Sequence, residues 1–213
     1  MITADQSLGI GQKCAREIMG DSFFGLEDIK QCFSLTFTDK KRGKFVRVPF
    51  SKETLLETKD THILFPYCSL SLVDIYSRLH GSSLYSFDED PWYIREEFAK
   101  TGREPGWRLI RKRIVPDSTG KTFDEQLSLL DKNEVVPFAC ELVYMIILLF
   151  ETRGTRLFRK EYANCQDFFP LNGRHIHAGI FPPSWLDIRY YFKRPNADNV
   201  GLASARISLD FAQ

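Results

Sequence analysis

VVPFACELVYMIILLFETRG, residues 135–154, is the stretch that decides how this chain folds. From Phe138 to Phe150 every residue except Glu141 is apolar. A helix of that composition has no face to offer water and must be covered on several sides. It is too short to cross a bilayer, which takes roughly 20 apolar residues. Its flanks are also polar, with Asp131, Lys132 and Asn133 before it and Glu151, Arg153, Arg156 and Arg159 after it. Pro137 suits a first helical turn, where a missing N–H costs nothing, and Gly154 suits the left-handed residue that ends a helix. The pattern predicts a central buried helix with a sheet and smaller helices packed on it. Glu141 is the exception inside the run. Burying an unpaired carboxylate is costly, so Glu141 is expected to be a buried polar group that finds a partner (Arg111, Arg113, Arg153, Arg156 or a backbone donor), protonates, or lies near an opening. A structural ion pair is a simpler account of it than a catalytic acid.

Composition limits the function classes. The formal net charge is +1 over 213 residues, so no global field draws the chain to nucleic acid or to anionic lipid. The 18 Phe residues that dominate the aromatic content read as core volume rather than as stacking platforms. The first residues, MITADQSLGIGQK, lack the basic and apolar regions of a signal peptide. Five cysteines, at 14, 32, 68, 140 and 165, are odd in number and contain no CxxC pair. They suggest neither a disulfide framework nor a zinc knuckle, and they fit a reducing cytoplasm.

Working outward from the central run, Thr122-Phe-Asp-Glu125 is a capping box, and Phe123, Leu127 and Leu130 make a short amphipathic helix after it. Trp107–Val115 reads as a strand with neither face cleanly apolar, which suggests an edge. Asp90-Pro91 followed by WYIREEFAKTG predicts a helix ending at Gly102. Thr61–Tyr67 predicts a buried strand, and Leu72, Ile75, Tyr76 and Leu79 a helix capped by Ser71. Residues 12–33 read as helix broken at Gly20 and Gly25, and DKKRG (39–43) as the basic tip of a hairpin. On the C-terminal side, Asn172-Gly173 predicts a tight hairpin, and Pro182-Pro183-Ser184 turns the chain into WLDIRYYFK. This gives three consecutive antiparallel strands. The fold expected is one α+β domain over residues 1–213, a central buried apolar helix with an antiparallel sheet and smaller surrounding helices.

FFGLEDI, WRLIRK, the STGKT and DEQ segments and VPFACELVY together resemble stretches in a group of uncharacterised bacterial proteins. The resemblance covers most of the chain. It implies a bacterial origin and carries no activity.

Four constellations hold candidate chemistry. Ser118-Thr-Gly120-Lys121-Thr122 has the end of a phosphate loop, but the first glycine of that motif would fall on Val115, so a capping turn is the better account. Trp107, Arg108, Arg111, Lys112 and Arg113 set cations beside an aromatic, as single-stranded nucleic-acid sites do. As a strand, however, the segment sends half of them to the opposite face. His175 and His177 share one strand face. If Asn172-Gly173 is a two-residue turn, Asp167 and Cys165 fall on the other face, and only a bulge, which nothing in the sequence demands, would bring them round as metal ligands. In that register Ile176, Ala178 and Ile180 face the core. The outer face then gathers His175, His177, Asp187, Arg189 and Tyr191, with Trp185 at its edge, as a candidate ligand- or partner-binding surface. No GxSxG elbow or catalytic cysteine setting is present.

The reading that follows is a soluble bacterial binding or interaction domain without catalytic activity. No cofactor or metal is expected, a protein or small ligand is the expected partner, and no membrane is. A hydrolase or nuclease-like enzyme with a His/carboxylate site is the alternative, and nucleic-acid binding through Trp107–Arg113 a further one.

Overall fold

The computed structural model describes residues 9–79, 91–171, 173–181, 186–190 and 198–208. The chain enters through β1 (Ile10–Gly11) and α1 (Gln12–Met19), then α2 (Leu26–Phe33), the short α3 (Asp39–Gly43) and β2 (Arg47–Val48), which pairs with β1. Next come α4 (Lys52–Thr58), β3 (His62–Tyr67), α5 (Leu72–Arg78), α6 (Glu97–Lys100) and β4 (Gly106–Arg111). The capping-box helix α7 (Phe123–Leu127) and β5 (Glu134–Val135) lead into the central helix α8 (Ala139–Arg153). The chain finishes with β6 (Tyr162–Phe169), β7 (Arg174–Gly179), β8 (Asp187–Arg189), β9 (Val200–Leu202) and β10 (Ala205–Arg206). The fold is α+β.

Residues Ala139 to Leu149 of α8 are all buried, as an all-apolar helix requires. Gly154 ends it at φ 64°, the left-handed conformation that glycine adopts without a Cβ penalty. Pro137 lies one residue before the cap, Phe138, and so outside the first turn where the sequence put it. Two four-stranded sheets and the helices α2 and α5 cover α8. The first sheet runs β3-β4-β10-β5, all antiparallel; the second runs β8-β7-β6-β9.

Alternation divides the first sheet. Ile63, Phe65, Tyr67 and Ile110 face α8, while Leu64, Trp107 and Leu109 face a second apolar cluster with Ala15, Met19, Phe45 and Leu55. β4 is therefore an inner strand, bonded to β3 on one side and β10 on the other, and not an edge. Its arginines are accommodated by ion pairs rather than by solvent. In the second sheet Ala163, Cys165, Ile176, Ala178 and Ile188 face α8. β6, β7 and β8 are the three antiparallel strands expected, and β9 adds in parallel to β6. Only Ala203 and Ser204 separate β9, in the second sheet, from β10, in the first.

Three local expectations are corrected. DKKRG is a single helical turn capped by Thr38, not a hairpin tip, because Thr38 Oγ1 accepts from Lys41 N where a tight reversal was expected. The segment after Pro91 is a 3-10 turn, Trp92–Arg95, and then α6, broken at the extended Glu96. Asp90 and Gly81 lie outside the described residues. The β6–β7 turn is wider than two residues, since Phe169 pairs with Arg174 and Gly173 N donates to Phe169 O. Beyond it, Asn164 pairs with His177, so residues 165–167 bulge opposite Ile176.

If α8 is the structural centre, its amides from Leu142 to Leu149 exchange at the rate of global unfolding. Leu148→Ala should cost about 2–5 kcal/mol in chemical denaturation, as for a fully buried leucine. Exchange there faster than in β6 and β7 would contradict this architecture.

Candidate functional site

A cavity of about 600 Å³ lies at the start of α8. Three lengths of backbone bring its walls together. Gly102 presses the 102–105 loop on the chain after β3, so closely that a Cβ there would sit 2.3 Å from Ser69 O. This fixes Arg103, whose backbone N donates to Tyr67 Oη at 3.3 Å. Alternation along β4 puts Arg108 on the same face as Ile110, toward α8. The β6 bulge places Asp167 against the helix start. Val135, Val136, Pro137, Phe138 and Ile207 supply most of the apolar lining.

The chemistry here answers a backbone demand. The first N–H groups of a helix have no intrahelical acceptor, and those of a buried helix have little water to turn to. Phe138 N donates to Glu141 Oε2 at 3.0 Å, and Ala139 N to Asp167 Oδ2 at 2.6 Å. Both carboxylates sit at the positive pole of the helix. Each carries a cation: Arg108 Nε meets Glu141 Oε1 at 2.5 Å, and Arg103 Nη2 meets Asp167 Oδ1 at 3.2 Å. Burial nevertheless outweighs these partners at Asp167 and raises its pKa above the ordinary carboxylate value. Arg108 gives its other nitrogens to Trp107 O and Glu104 O, and Arg103 stacks 3.4 Å over the Phe138 ring. Glu141 is 6% exposed. Its partner is Arg108, not Arg111, Arg113, Arg153 or Arg156. Arg111 points to the other face of the sheet, 3.7 Å from Glu134, and Arg153 binds Phe23 O and Asp21.

The proposed outer surface of the second sheet is not open. His177 is 3% exposed beside the Tyr162 ring, because α7 lies over this face. Phe123 stacks on His175 with ring centres 3.4 Å apart, and Gln126 accepts from Asn164 Nδ2. His177 does sit opposite Arg189. Arg189 Nε and Tyr162 Oη both donate to Asp187 Oδ2, at 2.6 and 2.5 Å, so these groups are engaged with one another. Trp185 and Tyr191 lie outside the described residues. Arg111, Lys112 and Arg113 do not join Trp107 and Arg108 in one patch. Trp107 is buried with its Nε1 donating to Phe45 O, Lys112 Nζ donates to Asp60 O, and Arg113 is exposed. The STGKT turn closes on itself, with Thr122 and Glu125 exchanging cap bonds and Ser118 Oγ buried under Leu202 N.

Sequence reasoning missed Arg103, and Asp167 as a helix partner. Only Asp167 left a signal, as a carboxylate facing inward in a β run. Burial holds the Cys32 and Cys140 thiols up at about 12 and Cys68 at about 11, so none of these is a ready nucleophile. Among the described residues no three His, Cys, Asp or Glu side chains gather as a metal set. Compared with known proteins, the chain matches no family model, no curated protein and no solved structure.

Two predictions follow from these buried groups. Asp167→Ala strands Ala139 N and the Arg103 guanidinium, and should cost about 1–3 kcal/mol by urea denaturation, with Asp167→Asn milder because its amide oxygen still accepts. Burial also lowers the pKa of His62 and of His177 to about 3, with Arg111 and Arg189 respectively adding to it. The 3.9 Å approach of His62 to Glu134 is therefore not an ion pair at neutral pH. Unfolded histidine titrates near 6.5. The stability these neutral rings contribute is complete above that value and is lost as pH falls toward 3, by about 1 kcal/mol per pH unit for each. Asp167 acts with the opposite sign, over the range just above the ordinary carboxylate value. Melting temperature should thus fall between pH 6.5 and 4.5, and a His177→Gln variant should show a shallower fall.

Proposed function

We propose that the protein is a binding domain of the bacterial cytoplasm, not an enzyme, and that it takes a small, largely apolar ligand in the pocket at the start of α8. The observation that carries this reading is the pocket itself. About 600 Å³ walled by Trp107, Val136, Pro137, Phe138 and Ile207 is the size and lining of a small-molecule site. Proteins of this size rarely leave apolar surface in a concavity without a use for it. Val135, at 45% exposure, stands at its mouth on the short strand β5.

Binding is favoured over catalysis by what the charged groups around the pocket are doing. A general acid or base needs a proton it can exchange with substrate. Glu141 and Asp167 instead spend their oxygens on the helix backbone and on Arg108 and Arg103. A single-strand nucleic-acid interface needs an accessible ring, and Trp107 is packed against Phe23 and Phe45.

N-phenyl-1-naphthylamine, an uncharged probe that brightens in apolar surroundings, should bind the wild-type protein saturably. Val135→Trp and Ile207→Trp fill the mouth and wall of the pocket and should each weaken that binding at least about tenfold. Val46→Trp, at an exposed position away from the pocket, should not. Wild-type affinity in both filled variants, with unchanged melting, would remove the pocket as the site.

A further inference from the structure

We infer that the ligand of this pocket is an uncharged planar aromatic, and that it is received on the open face of the Arg103 guanidinium. The inference rests on the pocket being a ligand site. Two ion pairs meet at the start of α8, and one of their four side chains keeps accessible surface. Arg108, Glu141 and Asp167 are 14%, 7% and 5% exposed, whereas Arg103 is 33% exposed and lines the cavity.

The orientation of that guanidinium follows from its contacts. Its Cζ lies 3.4 Å from the centre of the Phe138 ring. That is the contact distance of two flat groups, and an edge-on approach would hold Cζ farther off, so guanidinium and ring lie face to face. Nη2 is turned to Asp167 Oδ1, and Nε is buried. One face and two corners are thus covered. The opposite face, with Nη1 and the stem, is what remains to account for the exposure. Phe138 lines the cavity too, so the stacked pair is part of its wall. The backbone of Arg103 is held by Tyr67 Oη and by the close packing of Gly102 on Ser69. A flat cation fixed in this way is a preformed platform, and a ring laid on it meets little ordering cost.

Charge argues against an ionic ligand. Arg103 with Asp167, and Arg108 with Glu141, each sum to zero, so the wall favours neither an anion nor a cation. A guanidinium bonded through its edge still attracts a π face, because the ring approaches perpendicular to its plane. Val135, Val136, Pro137 and Ile207 are aliphatic and accept a saturated or an aromatic body alike. A preference for flat rings therefore has its source at Arg103.

The test is displacement of bound N-phenyl-1-naphthylamine by 2-naphthol and by decahydro-2-naphthol, which share a carbon skeleton and a hydroxyl group. In the wild type, 2-naphthol should displace the probe at about fivefold lower concentration, the worth of one desolvated stacking contact. Arg103→Lys keeps a cation for Asp167 but loses the plane, and Arg103→Gln loses the charge. Both should bring the two concentrations together while leaving that of decahydro-2-naphthol unchanged. The comparison is made within each variant, so a loss of stability does not disturb it while the protein stays folded. In wild-type protein the Arg103 Nε–H resonance should also move upfield with 2-naphthol and stay in place with its saturated analogue. Equal displacement in the wild type overturns the aromatic inference and leaves the pocket reading standing. A preference that survives both substitutions, or an unmoved resonance, overturns the role of Arg103. Failure of the folded wild type to bind the probe removes both readings.

Discussion

A helix that is apolar on every side cannot leave its first N–H groups to water. In this protein that demand at Phe138 and Ala139 organises the site. Glu141, within the helix, answers one of them and Asp167, from the β6 bulge, the other. A carboxylate brought in for this purpose is itself a buried charge, and each recruits an arginine. Arg108 comes from an inner strand and Arg103 from a loop held down by Gly102. One unmet backbone requirement thus fixes the relative positions of β4, the 102–105 loop and β6, and the cavity is the space those elements enclose.

The same chain of compensation explains why this corner suits recognition better than reaction. Groups locked in bonds of 2.5–3.2 Å to backbone and guanidinium hold a shape well and move protons poorly. Preorganised walls lower the ordering cost of binding. The second sheet follows a similar logic. His175 and His177 would be titratable surface groups on a bare sheet, but α7 covers them, and burial keeps His177 neutral.

The elements legible in the sequence are those specified by neighbours along the chain. The all-apolar run at 138–150, the Thr122 capping box, the Ser71 cap and the buried strand 62–67 each state their structure within a few residues. Glu141 is conspicuous for the same reason, as the one charge in an apolar run. Its partner is not legible, because Arg108 is selected over Arg111 by strand alternation and sheet order, neither of which the sequence states. Trp107–Arg113 looked like an edge because inner strands rarely carry so much charge. It is inner because Glu141 of α8 and Glu134 of β5 pair with Arg108 and Arg111, while Lys112 and Arg113 lie past the end of the strand. The hairpin register was missed through turn width: a wider reversal and a bulge keep Ile176 and Ala178 facing the core while changing every cross-strand partner, and Ile180, at φ 41°, leaves the core to Phe181.

Ala203 and Ser204 carry the chain from one sheet to the other, and this matters for a protein made from its N-terminus onward. The first sheet joins β4 to β5 only through β10, and the second gains its parallel edge only with β9. When synthesis reaches the end of α8, none of β6 to β10 has yet been made. A helix with no polar face is therefore half uncovered for the whole time that the next fifty or so residues are synthesised, at roughly 5–20 residues per second. Closure is governed by contacts distant in sequence, which form slowly. The last strands act as a clasp, and the nascent chain before they arrive is the species most in need of a chaperone.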